Sequence, residues 1–252
     1  MTYAQETIRT FRTELAAVPA IADRIIQTVT AHPFKTEAAC EFALQGLLRR
    51  VKTLRRCIGE AFRLIPPGRR KAVDSLCREK TEIYLQSYFI NIAGSLDNLA
   101  WIWVHERGLK KVNGKPLSRS EVGFRKTQVA VRRSVPPSFA SYLDSIEPWA
   151  LAGENYRDAL AHRIPLYIPP FSVLISNVEE HRRLEAASRL AQFRAEHEAS
   201  ADFEKQRGKL EFFQAVMMHS YSEGAIPMLF HAQMIADLKT IDELTRRLFA
   251  EL

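Results

Sequence analysis

Apolar residues recur at helical spacing through most of the chain. Ile8, Phe11, Leu15 and Val18 make one stripe and a second apolar run covers 21–29, with Pro19 between them. A proline inside a helix removes a backbone donor and crowds the carbonyl four residues earlier, so the pattern predicts two N-terminal helices broken at Pro19. His32-Pro33 closes the second. Thr36 is placed to cap a third helix that reaches about Ile65 and carries a stripe of Leu44, Leu47, Leu48, Val51, Leu54, Ile58 and Phe62. Pro66-Pro67-Gly68 stops it. A long helix over 70–107 follows. Its later part, from Tyr84 to Trp103, is apolar nearly all round, which predicts the central helix of a bundle, packed antiparallel to the helix before it.

The second half is more broken. Asn113-Gly114 signals a tight turn, and a basic, irregular segment runs on to Pro137. Ser138 is placed to cap a short helix to Ile146, and a separate helix over 148–163 is stopped by Pro165. Residues 164–171 are extended and punctuated by proline. Residues 177–208 are highly charged and helical, which predicts a projecting arm that Phe203, Phe212 and Phe213 either anchor or use for a dimer contact. Residues 212–219 read as a strand, 222–224 as a turn, and 228–252 as a last amphipathic helix. The extended pieces around Tyr167 and Val216 are expected to pair. The predicted fold class is therefore mainly α: a helical bundle with a small two-stranded β element and a charged helical arm. Its parts are N-terminal helices over 1–35, a bundle core over 36–172, and a C-terminal elaboration over 173–252.

Composition agrees with one sizeable core. Of 252 residues 46% are hydrophobic, and only ten are glycine, which disfavours a turn-rich β fold. The start of the chain lacks an apolar signal region, and the apolar stretch 88–104 is interrupted by Ser95, Asp97 and Asn98, so a buried helix is expected rather than a membrane span. Cys40, Cys57 and Cys77 are odd in number and lack a CxxC spacing. They read as reduced core thiols of a soluble cytoplasmic protein.

Charge adds a functional direction. The formal net charge of +7 is concentrated: 49–80 holds eleven Lys/Arg against Glu60, Asp74 and Glu79, and 107–133 holds nine against Glu121. Arg49, Lys52, Arg55 and Arg56, lying off the apolar stripe of their helix, and Arg163 are candidate contacts to a polyanion, with RNA the first candidate. The alternative is a solvated helix face.

The most informative short run is Arg157-Asp158-Ala159-Leu160-Ala161-His162. Residues five apart on a helix point about 140° apart, but His162 falls in a last turn that can relax before Pro165. Together the two side chains suit metal-independent RNA cleavage. His162 would move a proton while a 2′-OH attacks the adjacent phosphate, and Arg157 would stabilise the charge that develops. Asp158 is the polar neighbour. Asp97 and Asn98, inside the most apolar helix, need partners, and Arg157 or His162 would serve. Tyr156 is grouped with them as an orienting residue. The rival reading is that Arg157 and His162 only cap carbonyls and pair with a carboxylate.

Other chemistry is thin. His162, His219 and His231 would make a three-histidine zinc-type set, but their spacing matches no zinc motif, so capping or paired histidines are expected and no metal or cofactor is predicted. No P-loop, G-x-G-x-x-G or G-x-S-x-G is present. Trp101, Trp103 and Trp149 are assigned to the core.

The run at 157–162, at a helix end in a basic helical chain, resembles the Arg-x(4–6)-His motif of the HEPN superfamily, with Asp158 matching the polar residue usual after the Arg. The following Ala-His-Arg-Ile-Pro-Leu-Tyr-Ile-Pro-Pro is similar to a group of bacterial proteins of that type. The resemblance covers about 36–172. It implies a helical bundle that forms a homodimer with two Arg/His pairs in a shared cleft. It also implies endoribonuclease activity of the toxin–antitoxin, defence or RNA-processing kind, with an antitoxin or other protein partner. In members that have lost catalysis it implies an RNA-, nucleotide- or protein-binding module. Arg157 and His162 would be the catalytic pair. A third expectation is a structural or oligomerisation protein built on the 177–208 arm.

Overall fold

A computed structural model describes residues 3–220 and 227–252. The turn expected at 222–224 lies outside the described residues. The architecture is the mainly α bundle that the hydrophobic pattern predicts. Helix α1 spans Gln5–Thr30, α2 Glu37–Glu41, α3 Leu48–Leu64, α4 Ser75–Glu106, α5 Val129–Ser134, α6 Pro137–His162, α7 Val178–Phe193, α8 His197–Gly208 and α9 Phe230–Ala250. No helix among the described residues is long and apolar enough to cross a membrane.

Helix α4 is the axis. Leu85, Tyr88, Phe89, Ile92, Leu99, Ile102 and Trp103 are buried on it, and α3, α6 and α9 pack around it. Helix α9 also packs along α1, so the last helix shares the core of the bundle. Polar groups drawn into this core find partners. The Tyr88 hydroxyl donates to the Met234 carbonyl at 2.8 Å, the Trp103 indole to the Ser134 hydroxyl at 2.8 Å, and His231 Nε2 to the Ile65 carbonyl at 2.7 Å. Arg24 grips the buried Asp242 carboxylate with Nε and Nη2, joining α1 to α9.

The α2–α3 region is a single rod with one irregularity. Thr36 caps it as expected, accepting from the Ala39 N–H at 3.1 Å. Residues Phe42–Leu47 then form a π-turn, which carries one residue more per turn than an α-helix. Two glycines let α3 and α4 approach here. A Cβ on Gly46 would fall 2.7 Å from the Asn98 amide, and one on Gly94 would fall 2.2 Å from the Arg50 guanidinium. Arg50 lies across α4 and donates to Asn98 Oδ1 at 2.9 Å and Asn91 Oδ1 at 3.2 Å.

Several boundaries differ from expectation. Helix α1 passes through Pro19 unbroken, because Val18, Ile21, Ala22 and Ile25 continue one buried stripe across it. Likewise 138–146 and 148–163 are one helix, α6. Pro148 sits on its exposed face, where the carbonyl freed at Asp144 meets solvent. Helix α4 begins at Ser75 rather than near residue 70, since the Asp74 carboxylate caps it by accepting from the Cys77 N–H at 2.8 Å. Of the cysteines, all three are free; Cys57 is buried and Cys40 and Cys77 are half-buried.

The β content is two short ladders. Ser172–Val173 (β1) pairs antiparallel with Glu211–Phe212 (β2), and Val216–Met217 (β3) with Met228–Leu229 (β4). The expected pairing of the Tyr167 region with the Val216 region shrinks to one bridge, Tyr167 to Met218. Pro165, Pro169 and Pro170 leave that segment without the donors a longer ladder needs. The charged arm is a hairpin: α7 and α8 pack on each other, turned by Ala195 at φ 61°, and the Ser188 and Ser200 hydroxyls meet between them at 3.1 Å. His181 and Arg207 both reach Glu211 at its base. Phe213 enters the main core beside that base.

Replacing Pro19 by alanine restores a donor to the middle of α1 at a half-exposed position. The expected outcome is a stabilisation of about 1–3 kcal/mol, read from urea unfolding. A loss of stability would mean that α1 needs a bend at Pro19 to follow α9.

Candidate functional site

Between α4, α6 and the irregular segment before α5 lies a cavity of about 450 Å³. Its walls follow from helical spacing. Leu143, Ile146, Ala150, Gly153 and Arg157 fall three or four apart on one face of α6, and Ala93, Asp97 and Trp101 fall four apart on α4. Tyr156 sets the rotation of α6: it is buried and stacks on Phe89 with centroids 4.9 Å apart and planes 17° apart. It therefore points into the core and turns Arg157 into the cavity.

Aromatic side chains and charges share the lining. Trp101, Phe124 and Trp149 are aromatic, and Leu244 of α9 contributes to the apolar part of the wall. Arg125 pairs with Glu154, while Arg157 reaches Glu154 at 3.5 Å and Asp158 at 3.0 Å. Glu147 is engaged by Lys126 at 2.9 Å. Two charged groups are uncommitted: among the described residues neither Asp97 nor the exposed Arg119 has an ion pair or a side-chain hydrogen bond. Asp97 keeps surface on the cavity side but is walled by protein elsewhere. That desolvation pushes its carboxyl above the ordinary value, and the cations of Arg157, Arg50 and Arg125 pull the other way.

A buried carboxyl braces the wall. Asp237 of α9 accepts from the Trp149 indole N–H at 2.6 Å and from the Gln233 amide at 2.5 Å, fixing the Trp149 ring against α9. Burial pushes Asp237 up to about 7, while the hydrogen bonds from Trp149 and Gln233 draw it back.

The residues singled out from the sequence separate into groups. Arg157 and Asp97 meet in the cavity. Asn98 is turned to α3 and held by Arg50 rather than by Arg157 or His162. Asp158 is half-buried and pairs with Arg157. His162 is exposed on another face of the last turn and does not line the cavity, so the 140° between it and Arg157 is retained within one chain. Arg163 donates to Asn155 Oδ1 at 2.6 Å. On α3, Arg55 pairs with Asp23 and Arg56 with Glu60, whereas Arg49 and Lys52 are exposed with no ion pair among the described residues.

The three-histidine set is not assembled. His231 is buried among Phe11, Phe62 and Phe230 and bonded to Ile65, and desolvation lowers it to about 4. His219 packs edge-on to Tyr156, and His162 is at the surface. No group of metal-ligating side chains forms among the described residues. Sequence reasoning missed Arg119, Arg125 and Glu154, which carry no local motif. It also assigned all three tryptophans to the core. Trp103 is there, but Trp101 and Trp149 are half-buried on the cavity.

Compared with models of known protein families, with curated proteins and with solved structures, the chain matches none.

Asp237 yields a pH prediction. A carboxyl whose folded value is raised above its unfolded value, about 3.9, favours folding most where it is protonated. Its contribution is fully present below about pH 4 and is lost as pH climbs toward about 7. Wild-type urea midpoints should therefore fall relative to those of Asp237→Asn between about pH 5 and 7.5. Parallel profiles for the two proteins would show that Asp237 titrates as an ordinary carboxyl.

Proposed function

We propose that this chain is an HEPN-like helical module that binds a nucleotide unit of RNA in the α4/α6 cavity. One observation carries the reading: Arg157 opens into a cavity walled by Trp101, Phe124 and Trp149 instead of being spent on capping the end of α6. A guanidinium suits a phosphate and an aromatic wall suits a base, so the two halves of a nucleotide find matching surfaces. Arg119 at the rim and the unpaired Arg49 and Lys52 on α3 add attraction for the rest of the strand.

The expected behaviour is binding of a nucleoside monophosphate and of RNA that weakens with rising salt. Arg157→Ala should weaken both by about 10–100-fold, the range for one charge-assisted contact. Titration by fluorescence or calorimetry checks this; equal affinity of the variant and wild type would defeat the reading.

A second reading is metal-independent cleavage at a site shared by two copies. It is favoured by the exposure of His162 at the end of α6, where it is open to another molecule. Incubation of RNA in chelator should then yield ends with a 2′,3′-cyclic phosphate. Arg157→Ala and His162→Ala should each be inactive alone, and a mixture of the two should recover part of the activity. Cleavage unaffected by His162→Ala, or none at all, leaves binding as the function.

A further inference from the structure

Immediately outside the cavity, three half-exposed rings lie nearly parallel. Phe42 and Trp101 have centroids 5.4 Å apart with planes at 8°, Trp101 and His105 5.5 Å at 24°, and Phe42 and His105 5.6 Å at 19°. Trp101 belongs to both features, since it also lines the cavity. Two separate devices build the cluster. Trp101 and His105 are four apart on α4 and so share a face. Phe42 opens the π-turn, which orients the start of that rod toward α4.

A purely structural cluster of this kind is expected inside the core, yet each ring here keeps solvent-accessible surface. The imidazole is also uncommitted: among the described residues His105 makes no hydrogen bond. We infer that Phe42, Trp101 and His105 form a second subsite, which stacks an unpaired nucleobase beside the one in the cavity.

The inference rests on the nucleotide reading of the cavity and narrows its ligand to single-stranded RNA of at least two nucleotides. In a duplex the base faces are already covered by their neighbours, so a ring platform has nothing to stack on. Desolvation holds His105 below its ordinary value and thus neutral near pH 7. A neutral ring adds one donor and one acceptor for a base edge and places no extra charge in the stack.

The test uses the full chain, a nucleoside 5′-monophosphate, an eight-residue single-stranded RNA and a self-complementary duplex of the same length. The single strand should bind about tenfold or more tighter than the monophosphate, the gain from one added stacked base. Phe42→Leu and His105→Ala should each remove much of that gain while leaving monophosphate affinity unchanged; His105→Ala serves if Phe42→Leu unfolds. Arg157→Ala should weaken both ligands.

If both platform variants bind the single strand as wild type does, or the duplex binds as tightly as the single strand, the second subsite is refuted and the cavity reading stands. If the monophosphate fails to bind but the single strand binds in a platform-dependent way, the cavity reading falls and the platform stands. If nothing binds, both fall.

Discussion

Helix α4 has little surface to give to water, and the rest of the molecule is arranged around that constraint. Its middle is covered from three sides by α3, α6 and α9. Every polar group it carries must be answered by a neighbour or left facing solvent. Asn98 is answered by Arg50, Tyr88 by the Met234 carbonyl, and Trp103 by Ser134. Asp97 is the exception. Its neighbours leave a void in front of it, and that void is the cavity. The uncommitted carboxyl and the cavity are thus one feature, produced where the cover of the central helix is incomplete.

The same constraint links cavity and core. Trp149 is half in each: its ring forms cavity wall, while its N–H is fixed by the buried Asp237. Tyr156 does the equivalent for α6, stacking inward on Phe89 so that Arg157 turns outward into the cavity. The site is therefore positioned by groups that never touch its contents, which is how rigid elements hold a functional side chain in place. The α7–α8 hairpin stands apart from this arrangement, packed mainly on itself and held at its base by β1, β2 and Glu211.

Much of the fold was legible in the order of apolar residues. The stripe over 44–62, the Thr36 cap and the all-round apolarity of 84–103 led directly to α3 and α4 as a central antiparallel pair. The misplacements have physical causes. Pro19 and Pro148 read as helix breaks, but a continuous buried stripe in α1 and an exposed position in α6 outweighed the missing donors. The π-turn had no sequence signal, because Gly46 reveals its purpose only when Asn98 lies against it. In the candidate site, Arg157 and Asp97 were legible from type and position. Arg119, Arg125, Trp101 and Trp149 were not, since their meeting depends on how α4, α6 and the segment between them pack. His162 shows the converse: a short motif placed it beside Arg157 in sequence, and helical geometry kept the two on different faces.

The π-turn has a consequence for how this protein tolerates change. Substitutions at its residues alter single contacts, but the extra residue itself acts as a phase shifter. Removing one residue from Phe42–Leu47 would restore α-helical winding and turn everything before it by about 100° relative to α3. Phe42 would leave Trp101, and the Thr36 cap would swing with it. A one-residue length change here is thus a rotation rather than a shortening, and the number of residues in this rod is as much a part of the architecture as their identity.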